Sequence, residues 1–363
     1  MVAPYRLPVF DQLAKHHDVT VLFYQGEKDF REWDIELNEK YDFDYEILKS
    51  KQIGPFVVNS GLTKYLRQTD FDLYILNDSD ENILQNIKIS AYAKLASKPT
   101  VWWFEAISPN YKPPSENKLL KLGKRTVLTR YRQAMLNISD SVIAFSQKSS
   151  NFARELGVNE PKVVESSQHM PEEQISSATK QSDKRDVLNK SKRIFLYIGQ
   201  IDPRKGIETL IDSYMNISNG ETSLIIAGSG VKSELVEKIS EQESDIHYLG
   251  YVNETEKARL YEHSDIFVLP TRHDPWGLVI NEALHFGLPV ITTQAAGASE
   301  LVKENGIVID AVEVDTLSAA MKRMIDDDNY LNYQPTNNRD DITDTSIMVS
   351  DLMDAIGIAI ESD

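Results

Sequence analysis

The chain of 363 residues contains no cysteine. That absence excludes disulfide bridges, thiolate metal ligands and a cysteine nucleophile together. Long apolar runs are missing too. Stretches such as Leu224–Ala227 fall far short of the ~20 residues a membrane-spanning helix needs. The first ten residues lack the basic start and apolar run of a secretory signal, so the expected location is the cytoplasm, with any membrane contact peripheral. Basic charge is scarce: 39 Lys and Arg stand against 56 Asp and Glu, a net charge of −17. Phosphate backbones are bound by clustered Lys and Arg, so nucleic acid is not an expected partner. The 7 histidines show no helical zinc spacing. Asp78-Ser-Asp80-Glu-Asn82 imitates the start of a calcium loop, but Ile83 and Ile89 occupy the positions that need Gly and Glu. No metal is expected.

What is present is an alternation of short apolar, β-rich runs with longer amphipathic stretches, the signature of β-α-β units and parallel sheets. In the first half the strand candidates are Val19–Tyr24, Tyr45–Leu48, Leu73–Asn77, Thr100–Phe104, Val142–Phe145 and Lys162–Glu165, with helices expected over Glu81–Ala96 and Glu116–Ile138. Met170–Lys190 is polar and without apolar period, as a linker would be. A second series begins at Arg193–Ile198 and continues through Ser223–Ala227, Ile246–Leu249, Ile266–Leu269, Val290–Thr292 and Ile307–Ile309. Asp326–Thr345 reads as an acidic loop and Ile347–Ile360 as a closing helix. The expected organisation is therefore an α/β chain of two Rossmann-like domains: residues 1–168 completed by the helix 346–361, a linker 169–191, and a second domain 192–330. A doubly wound domain opens with its central strand. Pro4 to Lys15 already reads as turn plus helix, so the first strand of the N-terminal sheet is missing from the pattern.

The densest chemistry lies in Asp274-Pro-Trp-Gly-Leu-Val-Ile-Asn-Glu282. A loop leads into a helix opened at Gly277, and the free backbone N–H groups of Gly277, Leu278 and Val279 form an anion site that needs no basic side chain. Glu282, in the second turn, can accept hydrogen bonds from a ribose diol, and Asp274 can reach sugar hydroxyls. Upstream, Phe195-Leu-Tyr-Ile-Gly199-Gln-Ile-Asp-Pro-Arg204-Lys205-Gly206 reads as a buried strand, a turn and a helix start carrying a basic pair. Lys and Arg at such a place suit a diphosphate on which negative charge accumulates.

These stretches resemble the donor site of GT-B retaining glycosyltransferases, specifically glycosyltransferase family 4 in the glycosyl transferases group 1. The resemblance is dense over residues 193–310. It covers His247-Tyr-Leu-Gly250-Tyr251-Val252, whose family counterpart lies against the nucleobase, and the strand Asp265–Thr271. It implies two parallel sheets facing a central cleft, a nucleotide-sugar donor, and a glycan or lipid-linked acceptor with retention at the anomeric carbon. It assigns the diphosphate to Lys205, with Arg204, and to the backbone of Gly277, Leu278 and Val279, and counts Trp276 among the donor-binding residues. Glu282 takes the ribose and Asp274 the donor sugar, and Gly199 is counted among the donor-binding residues. Two positions depart from the family: Asp274 stands where Glu is usual, and Gln200 where Arg is usual. Glu105, following Trp102-Trp103-Phe104, is the candidate near the sugar from the N-terminal domain; a carboxylate satisfied locally explains it equally. These departures and the missing strand also fit a degenerate homologue that binds nucleotide sugar or a partner without turnover. Finally, residues 118–132 carry Lys118, Lys121, Lys124, Arg125, Arg130 and Arg132 without an acid. This helix suits contact with an anionic membrane, while Leu119, Leu120, Leu122, Val127 and Leu128 suit a core-facing stripe.

Overall fold

The computed structural model describes residues 4–25, 41–53, 56–108, 118–169, 193–327, 330 and 344–362, with side chains of 118–125 not described. The reading of Met170–Lys190 as a linker and most of the acidic loop after Asp326 lie outside the described residues, as do the side chains of the cations Lys118 to Arg125. The chain divides into two compact units. Met1–Pro109, Asn117–Gln168 and Thr345–Asp363 form the first, and His169–Asp344 makes the body of the second.

In the first unit the strands are β1 (Thr20–Gln25), β2 (Asp44–Lys49), β3 (Lys51–Ile53), β4 (Phe56–Val58), β5 (Tyr74–Asn77), β6 (Thr100–Phe104), β7 (Ser141–Ala144) and β8 (Val163–Glu165). β1 and β2 pair in parallel, and β5-β6-β7-β8 form a separate parallel sheet. β3 and β4 make a small antiparallel hairpin that the pattern had not suggested. The β6 run Thr-Val-Trp-Trp-Phe is buried along its whole length, as a strand covered on both faces must be. One face carries Trp102 and Phe104 against Met135 and Leu136 of the long helix Lys118–Ile138. The other carries Val101 and Trp103 against Leu352, Ala355 and Ile356 of the helix Thr345–Glu361, so the chain's last helix completes this unit.

The long helix corrects one expectation. Val127 is 66% exposed rather than part of a core stripe, and Tyr131, Met135 and Leu136 are the buried positions. Arg132 is not a free surface cation either: its guanidinium donates to Asp78 at 2.9 Å and to Asp80 at 3.2 Å. The calcium-like aspartates therefore already hold a counter-charge.

In the second unit β9 (Arg193–Ile198), β10 (Thr222–Ala227), β11 (Ile246–Tyr248), β12 (Ile266–Leu269), β13 (Val290–Thr293) and β14 (Gly306–Ile309) form one parallel sheet in the order β11-β10-β9-β12-β13-β14. This is the doubly wound order, with the first strand central and the direction of winding reversing between β9 and β12. β10, β12 and β13 are buried throughout. Helices cover the sheet, and their ends follow local chemistry. Asn253 caps the helix Glu254–His263 in a reciprocal box with Glu256, which satisfies two orphan amides at once.

Candidate functional site

The site candidates of the second unit gather at the carboxyl ends of its strands, around the reversal between β9 and β12, where doubly wound sheets bind ligands. Gly199 ends β9, and the 3₁₀ turn Pro203–Lys205 follows, with Asp202 capping the Arg204 amide at 2.7 Å. Gly206 then enters the next helix at φ 74°. A β-carbon there would stand 2.1 Å from the Pro270 carbonyl oxygen, so glycine is what lets this turn lie against the end of β12.

From the other side come residues 271–277. The Lys205 ammonium bonds the Asp274 carboxylate, and both side chains are nearly enclosed. Burial opposes the charged form of Asp274, but the Lys205 ammonium beside it holds the carboxyl below its ordinary range. Arg204 donates to the His273 carbonyl at 2.8 Å and to the Gln200 side chain at 3.1 Å. Gln200, the departure from the family pattern, thus orients the neighbouring cation. The loop is clamped from behind: the Gly297 amide donates to the Asp274 carbonyl at 3.0 Å and the Ala298 amide to the Trp276 carbonyl at 2.8 Å.

Gly277, at φ 99°, is the cap of the helix Leu278–His285. Left-handed backbone is inexpensive only for glycine, and the first amides of the helix it opens have no partner within that helix. The Trp276 ring does not share in this. It is 2% exposed and its indole N–H donates to Asn281 at 2.8 Å, which leaves only its backbone for a ligand. Leu278 and Val279 pack partly into the core, so they too offer backbone.

Glu282 is 4% exposed. Tyr261 donates to one carboxylate oxygen at 2.7 Å and Lys257 to the other at 2.9 Å. Lys257 also reaches Glu254 at 2.8 Å. Burial dominates and pushes the Glu282 carboxyl up, against the pull of Lys257, and burial also drives the Tyr261 phenol well above its usual value. Each carboxylate oxygen retains a lone pair for a further donor. Lys257 and Tyr261 had escaped the sequence reading. Their i, i+4 spacing marks one helix face, but nothing local says that Glu282 lies opposite. Gly250, Tyr251 and Val252 follow β11, with Tyr251 53% exposed as an aromatic surface at that edge.

Glu105 belongs to the first unit. Its carboxylate is bonded by the Arg6 guanidinium and accepts from the Trp103 indole at 2.8 Å, while Arg6 lies 5.2 Å from the Trp103 ring centre. It is a locally satisfied carboxylate. Among the described residues no group of three His, Asp or Glu is arranged to hold a metal ion, and no helix is long and apolar enough to cross a membrane.

Comparison with known proteins gives matches of sequence and of fold. Residues 179–341 match the family described as Glycosyl transferases group 1. O-antigen chain mannosyltransferase B of Escherichia coli is 34% identical over 143 residues, covering 37% of this chain and 37% of that protein. An uncharacterized glycosyltransferase of Methanocaldococcus jannaschii is 30% identical over 156 residues, covering 41% and 40%. The aligned part of the chain thus spans about two fifths of the length of these curated relatives. Likeness of fold extends much further. HepE of Anabaena, solved in complex with UDP and glucose, superposes with a TM-score of 0.71 over 98% of this chain and 96% of that one at 18% identity. Sucrose-phosphate synthase of Thermosynechococcus elongatus gives 0.74 over 97% and 92% at 19% identity. The fold is that of GT-B glycosyltransferases, and the sequence similarity to the glycosyl transferases group 1 family lies in residues 179–341.

Proposed function

We propose that the protein transfers a hexose from a UDP- or GDP-sugar to a glycan or lipid-linked acceptor, with retention at the anomeric carbon. The observation that carries this reading is the meeting of Lys205, Asp274 and the open helix start at Gly277 on the carboxyl ends of β9 and β12. The relatives point the same way: one is named an O-antigen chain mannosyltransferase, and HepE was solved with UDP and glucose.

In this reading the amides after Gly277 and the ammonium of Lys205 hold the diphosphate, with Arg204 as the second cation. Charge grows on the leaving diphosphate as the glycosidic bond breaks, and fixed donors aimed at it lower the barrier without reorganising. Asp274 has two tasks. It fixes the Lys205 ammonium, and its other oxygen faces the sugar hydroxyls. Glu282, braced by Lys257 and Tyr261, accepts from the ribose diol, and Tyr251 offers a face to the base. Retention follows from front-face attack, in which the acceptor hydroxyl passes its proton to the departing diphosphate. The protein then supplies position and charge rather than a nucleophile. The exposed Val127 and Arg130 of the basic helix support peripheral contact with an anionic membrane, where a lipid-linked acceptor would be met.

The test is release of nucleoside diphosphate from a panel of UDP- and GDP-hexoses, with glycan and lipid-linked acceptors, followed by anomeric proton NMR of the product. Acceptor-dependent release giving a product of the donor's configuration supports the proposal. Binding without release by folded protein supports the degenerate homologue instead.

A further inference from the structure

Glu282 is an enclosed carboxylate whose charged neighbours come from a different helix. Among the described residues, the charged or titratable groups that act on it are Lys257, Tyr261 and Glu254 of the helix Glu254–His263. His285 is the other titratable side chain of its own helix. Tyr261 is held by its ring, which stacks on Phe286 at 5.4 Å and tilts against Phe267 at 5.7 Å between centroids. Its hydroxyl both donates and accepts, so it can serve an ionised or a neutral carboxyl. An ammonium only donates, and its charge favours the ionised form.

That ammonium is shared. Lys257 lies 2.9 Å from Glu282 and 2.8 Å from the exposed Glu254, and so stands between two like charges. Burial opposes its own charge, yet Glu282 and Glu254 together hold it protonated above its ordinary range. Without it, burial and Glu254 both act against an ionised Glu282, and the Tyr261 hydrogen bond is left to favour it. The helix that carries Lys257 is itself fixed to the site's edge. It starts at the Asn253 cap, directly after Gly250, Tyr251 and Val252, and the Lys257 amide closes its first turn on the Asn253 carbonyl at 2.8 Å.

We propose that Lys257 is a positioning residue that makes the nucleotide site select a ribose, by holding Glu282 as a fixed carboxylate with one free lone pair on each oxygen for the two hydroxyls of the diol. The inference rests on the reading of Glu282 as the ribose acceptor and names what keeps it in that state. A neutral carboxyl in the same place carries a proton on one oxygen, accepts fewer hydrogen bonds, and gives none of them the assistance of charge. A site built to pair a hydroxyl rejects the analogue that lacks it, because its own polar group is then left unpaired. Selection therefore fades when Glu282 is neutral.

The test is calorimetric titration of the full chain with UDP, GDP and their 2′-deoxy forms at roughly pH 7 to 9. The quantity read is the ratio of the two dissociation constants for one base, in which titration of the diphosphate cancels. In wild type it should favour the ribonucleotide by at least about tenfold and stay flat with pH. Lys257→Met should bring it to about twofold or less at the lower pH, with recovery toward the upper end as Glu282 ionises. In a Glu282→Gln background, where no buried charge is stranded, Lys257→Met should change the ratio by less than about twofold. This second pair reads out even where Lys257→Met alone does not fold, and circular dichroism verifies the fold of each variant. Lys257→Met that weakens both nucleotides equally at every pH acts as a brace between helices and overturns the proposal. So does a change of ratio in the Glu282→Gln background. Wild type that binds a nucleotide without preferring the ribose overturns it while the diphosphate site stands, and wild type that binds none removes the reading on which it rests.

Discussion

At the scale of single residues, the Lys205–Asp274 pair makes the sharpest predictions. Removing one partner of an enclosed ion pair strands the other charge, which costs about 3 kcal/mol or more. Lys205→Ala should therefore lower both stability and diphosphate binding, as read by urea unfolding and calorimetric titration. Lys205→Ala with Asp274→Asn should recover most of the stability and none of the binding, which separates the two roles. The pH dependence has a definite sign. The folded pKa of Asp274 lies below its unfolded value. Its contribution is thus complete above about pH 4 and is lost as pH falls through the folded value. In urea titrations from pH 5 down to 2, Asp274→Asn should show a shallower loss of stability than wild type. Tyr261→Phe removes one donor to the Glu282 carboxylate and should cost about 1.5 kcal/mol together with a several-fold loss of nucleotide affinity. An unchanged affinity would detach Glu282 from the ribose.

The element that carries the site is the helix Leu278–His285, and its geometry depends on the backbone of Gly277. Gly277→Ala meets only ordinary contacts at the β-carbon, so its cost is the left-handed backbone, about 1–2 kcal/mol. Any relaxation turns the following amides away, so diphosphate affinity should fall further than melting temperature does. This element was legible in the sequence because the Gly-opened start, the acid spacing and the closing Gly287 are all local. β9 to β14 were legible for a related reason: parallel strands covered on both faces read as continuous apolar runs. The hairpin β3–β4 was not, since three-residue strands such as Lys51-Gln-Ile carry no period. The face of Lys118–Ile138 was misread at Val127 because two apolar arcs compete there, and only the position of β6 decides between them. Trp276 looked like a ligand contact in sequence. Its partner Asn281 lies five residues on, within the helix Leu278–His285, and the pattern does not tell inward from outward.

At the scale of the whole molecule, the last helix belongs to the first unit although the second unit intervenes in sequence. Thr345–Glu361 covers Val101, Trp103 and Ile143 with Leu352, Ala355 and Ile356, and burial of each large apolar side chain is worth about 1.5–3 kcal/mol. Truncation after Asp344 should therefore lower the melting of the first unit steeply while the second still binds nucleotide, which differential scanning calorimetry with and without ligand would resolve. A single transition that stayed nucleotide-responsive and unshifted would show that the helix is dispensable. The fold class was readable from alternation alone, but the return of the chain to its first unit rests on the apolar period of one segment.

The central claim is that the carboxyl ends of β9 and β12 hold a nucleoside diphosphate. Calorimetric titration of wild type and Lys205→Ala with UDP, GDP and ADP tests it most directly. The account predicts that one of UDP and GDP binds wild type and that the Lys205→Ala protein, shown to be folded, binds it at least about tenfold more weakly, a loss of about 1.4 kcal/mol or more. Folded wild-type protein that binds none of the three, or that binds one equally well without Lys205, would contradict it.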